Sequence, residues 1–144
     1  MKRRVLFDLN VVLDVLLDRP PHAVASSALW AAVEAGDAEG MLAAHCVTTL
    51  HYLATRSGGR EFGDRCVADV LSVFGVAAVD HAVIHEALAM GWPDFEDAVC
   101  AASGKSAGCH FIATRDPRGF KAAEIPALAP IEALAAIRTA MHSG

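Results

Sequence analysis

The chain lacks the marks of a secreted or membrane protein. No stretch approaches the ~18 consecutive apolar residues of a membrane-spanning helix. Behind Met1-Lys2-Arg3-Arg4 the apolar run is only Val5-Leu6-Phe7 before Asp8 interrupts it, too short for the core of a secretory signal. The four cysteines, Cys46, Cys66, Cys100 and Cys109, form no CxxC pair, and their spacing fits no zinc template. They read as scattered, reduced thiols of a reducing compartment. The expected location is therefore cytoplasmic. Excess positive charge is also missing. A formal net charge of −5 argues against binding nucleic acid through bulk charge. A local patch of Arg and Lys could still grip phosphates, and bound cations could neutralise the acidic part. There is no internal repeat and no low-complexity tract.

What is present is a chain of 144 residues, 54% of them hydrophobic, which excludes intrinsic disorder. The length suits one domain, residues 1–144. Such a domain buries roughly 68–70% of its unfolded surface and needs no metal or disulfide staple in order to fold.

Short apolar runs alternate with helical patterns. Val5-Leu6-Phe7 reads as a strand buried on both faces. Asn10 can cap a helix through Leu17, stopped by Pro20-Pro21. His22 to Ala35 has helical periodicity and ends at Gly36. Met41 to Ala44 reads as a second strand, Thr48 to Arg56 and Arg60 to Phe74 as helices, and Val76 to Val79 as a third strand. Asp80 caps a helix through Met90, and Asp94 opens another through Ser106. A fourth strand spans His110 to Ala113, a turn spans Pro117 to Phe120, and Ala127 to Ala129 reads as a fifth strand before a helix over Ile131 to Met141. The alternation predicts an α/β fold: a parallel sheet of four to five strands between two helical layers. Ligands of such sheets bind beyond the carboxyl ends of the strands, where the strand order switches.

Asp8 stands where the first strand runs out, and Asp116 where the fourth does. Parallel strands carry both carboxylates to the same edge. If the strands are neighbours, the acids repel and call for a cation or a proton between them. Either acid alone also suits the cap of the element that follows. Asp94-Phe95-Glu96-Asp97 adds three carboxylates in four residues. Asp94 and Asp97 share a helix face, and capping accounts for part of the pattern but not for three acids. Hard oxygen donors of this kind suit Mg2+ or Mn2+, ions that activate water and stabilise charge on phosphate. No serine–histidine–acid order suggests a covalent route.

Other signals carry less. Gly104-Lys105-Ser106 resembles the tail of a P-loop, but Val99 stands where the first glycine belongs, and a helix precedes it instead of a strand. His81 and His85 read as an exposed helix face. His45, His51 and His110 read as core or surface histidines, and Trp30 and Trp92 as packing residues.

Taken together, the motifs resemble the PIN-domain family. Phe7-Asp8-Leu9-Asn10-Val11-Val12-Leu13-Asp14 is similar to that family's opening. Asp94-Phe95-Glu96-Asp97-Ala98 and Thr114-Arg115-Asp116 with Phe120 are similar to its later acidic elements. The resemblance implies a metal-dependent ribonuclease with Asp8, Asp97 and Asp116 as metal ligands and catalytic acids, and Asp94 or Glu96 as additional acids. Asn10 and Thr114 would hold the site in shape. Small bacterial members of this size are VapC-type toxins, dimeric and silenced by a cognate antitoxin, so the implied partners are RNA, an antitoxin and a second copy of the chain. Arg115, Arg118 and Lys121 lie near the same edge and are candidates for gripping phosphate, although solvated surface cations read the same way.

One departure stands out. The family usually carries an acid on the helix after the second strand, and the best alignment puts Thr49 there. A neutral hydroxyl at that point favours an alternative reading, a weak or inactive PIN-like module that binds RNA or protein. A third reading, a phosphatase-like hydrolase with Asp8 as nucleophile, is loosely similar to haloacid-dehalogenase enzymes. That family expects an aspartate where this chain has Asn10, and a downstream lysine at the site.

Overall fold

A computed structural model of the chain describes residues 2–143. Five strands form one sheet: β1 (Arg3–Phe7), β2 (Ala38–Ala43), β3 (Gly75–Ala77), β4 (Phe111–Ala113) and β5 (Ala127–Leu128). All pairings are parallel, and the order is β3-β2-β1-β4-β5. The chain adds strands on one side of β1, then returns to add β4 and β5 on the other. The strand order therefore reverses between β1 and β4, the place where α/β sheets bind ligands.

Seven helices accompany the sheet among the described residues: α1 (Leu9–Leu16), α2 (Ala23–Glu34), α3 (Ala44–Gly58), α4 (Arg60–Val73), α5 (His81–Met90), α6 (Phe95–Ser106) and α7 (Pro130–Ser143). A 3-10 turn, Pro117–Phe120, links β4 towards β5. The result is the expected three-layer sandwich. No helix of the described residues is long and apolar enough to cross a membrane.

β1 is short because only Val5, Leu6 and Phe7 are fully buried; Asp8 then ends the apolar run. The rings of Phe7 and Trp30 both meet Phe74 edge-on, at 4.7 and 4.9 Å between centroids. A side chain at Gly40 would strike this cluster, since a Cβ there would lie 2.5 Å from the Phe74 ring. Full burial of one such aromatic or aliphatic side chain contributes about 1.5–3 kcal/mol.

The helix starts follow cap chemistry. Asp80 Oδ1 accepts the Val83 N–H at 3.0 Å at the start of α5, and Asp94 Oδ1 accepts the Asp97 N–H at 3.1 Å at the start of α6. Helix α6 has a buried face of small residues, Ala98, Cys100, Ala101, Ala102, Ser103 and Gly104 among them. Small residues let it lie on the sheet: a Cβ on Gly104 would be 3.0 Å from Leu6 Cδ2. Gly104 is thus a packing residue, and Lys105 Nζ pairs with Glu86 and Glu124 at 2.9 and 3.1 Å.

The structure moves one boundary that matters. The second strand was expected over Met41 to Ala44 with a helix from Thr48, but β2 ends at Ala43 and α3 starts at Ala44. No side chain caps this start, so the sequence carries no local sign of it. The earlier start puts His45 and Cys46 on the first turn of α3, at the carboxyl end of β2.

Candidate metal centre

Strand register builds the site. Phe7 pairs with Ala113 across β1 and β4, so Asp8 and Thr114, the next residue on each strand, emerge side by side. The Asp8 N–H donates to Ala113 O at 2.9 Å and keeps the two strand ends together. The wholly buried Thr114 then donates its hydroxyl to Asp8 Oδ2 at 2.8 Å. The same oxygen, Oγ1, accepts the Asp116 N–H at 3.1 Å. One threonine thus orients a carboxylate on one strand and the backbone of the acid that follows the other.

Helix α6 brings the remaining acids. Asp8, Asn10, Thr49, Asp94, Glu96, Asp97, Thr114 and Asp116 line one cleft of about 300 Å³ at the carboxyl edge of the sheet. Gly119 lies close to two of these acids: a Cβ there would sit 3.3 Å from Asp97 Oδ2 and 3.8 Å from Asp116 Oδ2. Ligand oxygens of Asp94, Glu96 and Asp97 lie within 4.8 Å of one another.

Crowding shows in the electrostatics. Burial pushes the Asp8 carboxyl above the ordinary carboxylate range, opposed by the Thr114 hydrogen bond and reinforced by the charge of Glu96. Burial, followed by the charges of Asp94, Asp8 and Glu96, pushes Asp97 up to about 7. Glu96 moves the other way, to about 2, because His45 hydrogen-bonds its carboxylate. Charged carboxylates held this close lower their energy by taking up a cation. The donor set is oxygen throughout, and the space beside Gly119 that a Cβ would fill faces two of the carboxylates. These features fit a hard divalent ion.

The three cations singled out by the sequence fare differently. Arg115 pairs with Asp14, its Nε 3.0 Å from Oδ2 of that fully buried acid, and its charge also acts to lower the Asp8 carboxyl. Arg19 Nε holds the other oxygen of Asp14 at 2.9 Å. Arg118 and Lys121 are exposed on and just after the 3-10 turn. No lysine lines the cleft, against the haloacid-dehalogenase reading. His81 and His85 stack on an exposed helix face, their ring centroids 6.3 Å apart.

Residues 4–118 match a family model described as a PIN domain. The chain belongs to the PIN-domain family. Nucleases of the PIN family generally use divalent metals, and an acidic cluster is present in this PIN domain. Among solved structures, this PIN domain is similar to Mycobacterium tuberculosis VapC20, a Sarcin-Ricin loop cleaving toxin: TM-score 0.67, 18% identity, 82% of this chain and 94% of that one. It is similar to FitAcB from Neisseria gonorrhoeae, with TM-score 0.65, 22% identity and coverage of 88% and 97%. It is also similar to VapBC2 from Rickettsia felis bound to a promoter DNA fragment, with TM-score 0.66, 10% identity and coverage of 88% and 98%. At these identities the likeness is one of fold. No curated protein matches the chain in sequence.

Sequence reasoning missed three features around this PIN-domain cleft. Asp14 anchors two arginines. Gly119 leaves room beside two acids. His45, Cys46 and Cys100 gather against Glu96 beside the cleft. Only the i,i+4 spacing of Glu96 and Cys100 on α6 was visible in one dimension.

Proposed function

We propose that the chain is a divalent-metal-dependent endoribonuclease and the toxin of a toxin–antitoxin pair, working as a homodimer. The observation that carries this is the convergence of Asp8, Asp97 and Asp116 on one cleft at the reversal of strand order. Asp8, Asp97 and Asp116 would hold Mg2+ or Mn2+, with Asp94 at the rim. A bound ion supplies a Lewis acid for the phosphate and eases deprotonation of a water. The chain's own residues do the rest. Thr114 fixes the rotamer of Asp8 and the backbone of Asp116. Asn10 lies one step along the same edge and offers an amide to the substrate or its water. Arg118 and Lys121 stand beside the cleft for the RNA backbone, while Arg115 is committed to Asp14. The antitoxin partner is supported by structures of the same fold that are VapBC and toxin–antitoxin complexes.

A second reading has its own observation. Thr49 lines the cleft, so a neutral hydroxyl stands among the acids where the family usually carries another one. This favours a weakened centre, or a module that binds RNA or protein without cutting. Incubation of purified protein with mixed RNA, with Mg2+, with Mn2+ and with chelator, beside Asp8→Asn, separates the two. Cleavage that needs metal and vanishes in the variant supports the nuclease. RNA binding without cleavage by a folded protein supports the module.

A further inference from the structure

Beside the acidic cleft, and sharing Glu96 with it, lies a second, chemically different cluster. His45 and Cys46 come from the first turn of α3, and Glu96 and Cys100 from adjacent turns of α6. One atom from each forms a closed group of six short edges. Oε1 of Glu96 is 3.1 Å from His45 Nε2, 3.5 Å from Cys46 Sγ and 3.3 Å from Cys100 Sγ. Nε2 of His45 is 3.6 Å from each sulfur, and the sulfurs are 3.7 Å apart.

From these edges we infer that His45, Cys46, Glu96 and Cys100 form a tetrahedral site for a zinc-class ion. The edges can be compared with a tetrahedron drawn from ordinary zinc bond lengths. That tetrahedron has sulfur–sulfur edges of about 3.8 Å, sulfur–nitrogen and sulfur–oxygen edges of about 3.6 Å and a nitrogen–oxygen edge of about 3.4 Å. All six observed edges fall within about 0.3 Å of it. Hydrogen bonding alone explains the set less well. It would crowd three donors onto one carboxylate oxygen while also bringing each donor against the other two. Two thiolates, an imidazole and a carboxylate are a soft, mixed set that selects zinc over Mg2+. Cys46 and Cys100 are buried and His45 is partly buried, while the exposed Glu96 forms the open side of the site. Among the described residues Nδ1 of His45 has no hydrogen-bond partner, so the ring's polar engagement is at Nε2, inside the cluster.

The ion would join the starts of α3 and α6, the two helices that bring Thr49 and Asp97 to the cleft. Glu96 belongs to both sites, so the ion would draw that carboxylate to itself and leave Asp8, Asp97 and Asp116 to the hard metal. The role is structural, and it stands whether or not the cleft cuts RNA.

The test is optical. Reduced, metal-stripped full-length protein is titrated with Co2+, then Zn2+. The expected result is one tightly held Co2+ per chain, with the strong visible bands of tetrahedral cobalt and a near-ultraviolet thiolate-to-cobalt band, all erased by one equivalent of Zn2+. Asp8→Asn and Cys66→Ser should keep the bands. Cys46→Ser and Cys100→Ser should weaken zinc binding on the order of a hundredfold or more. Because those thiols are buried, the spectrum of the unsubstituted protein decides the matter by itself. Octahedral cobalt without a thiolate band, or loss of the bands in Asp8→Asn with Cys46→Ser unaffected, would overturn the site. So would a reduced protein that takes up no Co2+ and instead forms a Cys46–Cys100 disulfide on mild oxidation.

Discussion

Replacing Thr114 with Val tests the link between the two strand ends. Valine nearly matches threonine in shape, so the change removes two hydrogen bonds and little else. The first is donated to the Asp8 carboxylate at 2.8 Å, and the second is accepted from the Asp116 N–H at 3.1 Å. A hydrogen bond to a charged group contributes about 1.5–3 kcal/mol. Burial already pushes Asp8 upward, and loss of the bond pushes it further. If the bond is needed to present a charged, oriented Asp8, the same energy corresponds to a roughly 10- to 150-fold loss of affinity for Mn2+ at neutral pH. The assay is Mn2+ titration by calorimetry or electron paramagnetic resonance, with thermal unfolding alongside. The melting temperature should fall by no more than about 10 °C, at some 2–4 °C per kcal/mol. Thr114→Ser should restore most of the affinity. A folded Thr114→Val variant that binds Mn2+ as tightly as the parent would refute the reasoning.

Three further outcomes are expected. Gly119→Ala puts a methyl 3.3 Å from Asp97 Oδ2, so Mn2+ binding should weaken about tenfold while metal-free melting changes little; tighter binding would contradict the placement of the ion. Asp97 has its carboxyl raised from 3.8 to about 7, so its contribution to stability is complete below 3.8 and is lost as pH rises through 7. Metal-free melting should therefore fall between pH 5 and 8, and added Mn2+ should raise it more at pH 8 than at pH 5. His45, raised to about 10, acts in the same direction above pH 6.5, and Glu96, lowered to about 2, matters only in acid below that range. Arg115→Gln leaves buried Asp14 with Arg19 alone and should cost roughly 1–3 kcal/mol in chemical denaturation.

Much of the site was legible because its acids follow the most readable parts of the chain. Val5-Leu6-Phe7 marks a buried strand, and Asp8 marks where it ends. Asp94 marks a helix start that also delivers Asp97. Thr49 lines the cleft, as the alignment expected. The parts that stayed hidden depend on contacts distant in sequence. Cys46 and Cys100 meet only after β2 and α6 pack together, and α3 begins four residues earlier than expected, at a start that no side-chain cap announces. Arg115 read as a surface cation because its partner, Asp14, looks like an ordinary residue of an apolar helix until the fold buries it. The order β3-β2-β1-β4-β5 also cannot be read from the alternation of elements, which fixes the parallel class but not where the chain turns back.

The central claim is that one divalent ion is held by Asp8, Asp97 and Asp116. A crystal soaked in Mn2+, with anomalous data collected at the manganese edge, tests it most directly. The account expects a peak about 2.1–2.2 Å from carboxylate oxygens of those three residues, beside Gly119. A saturated crystal with no peak there, or with manganese held only at the exposed rim by Asp94, would contradict it.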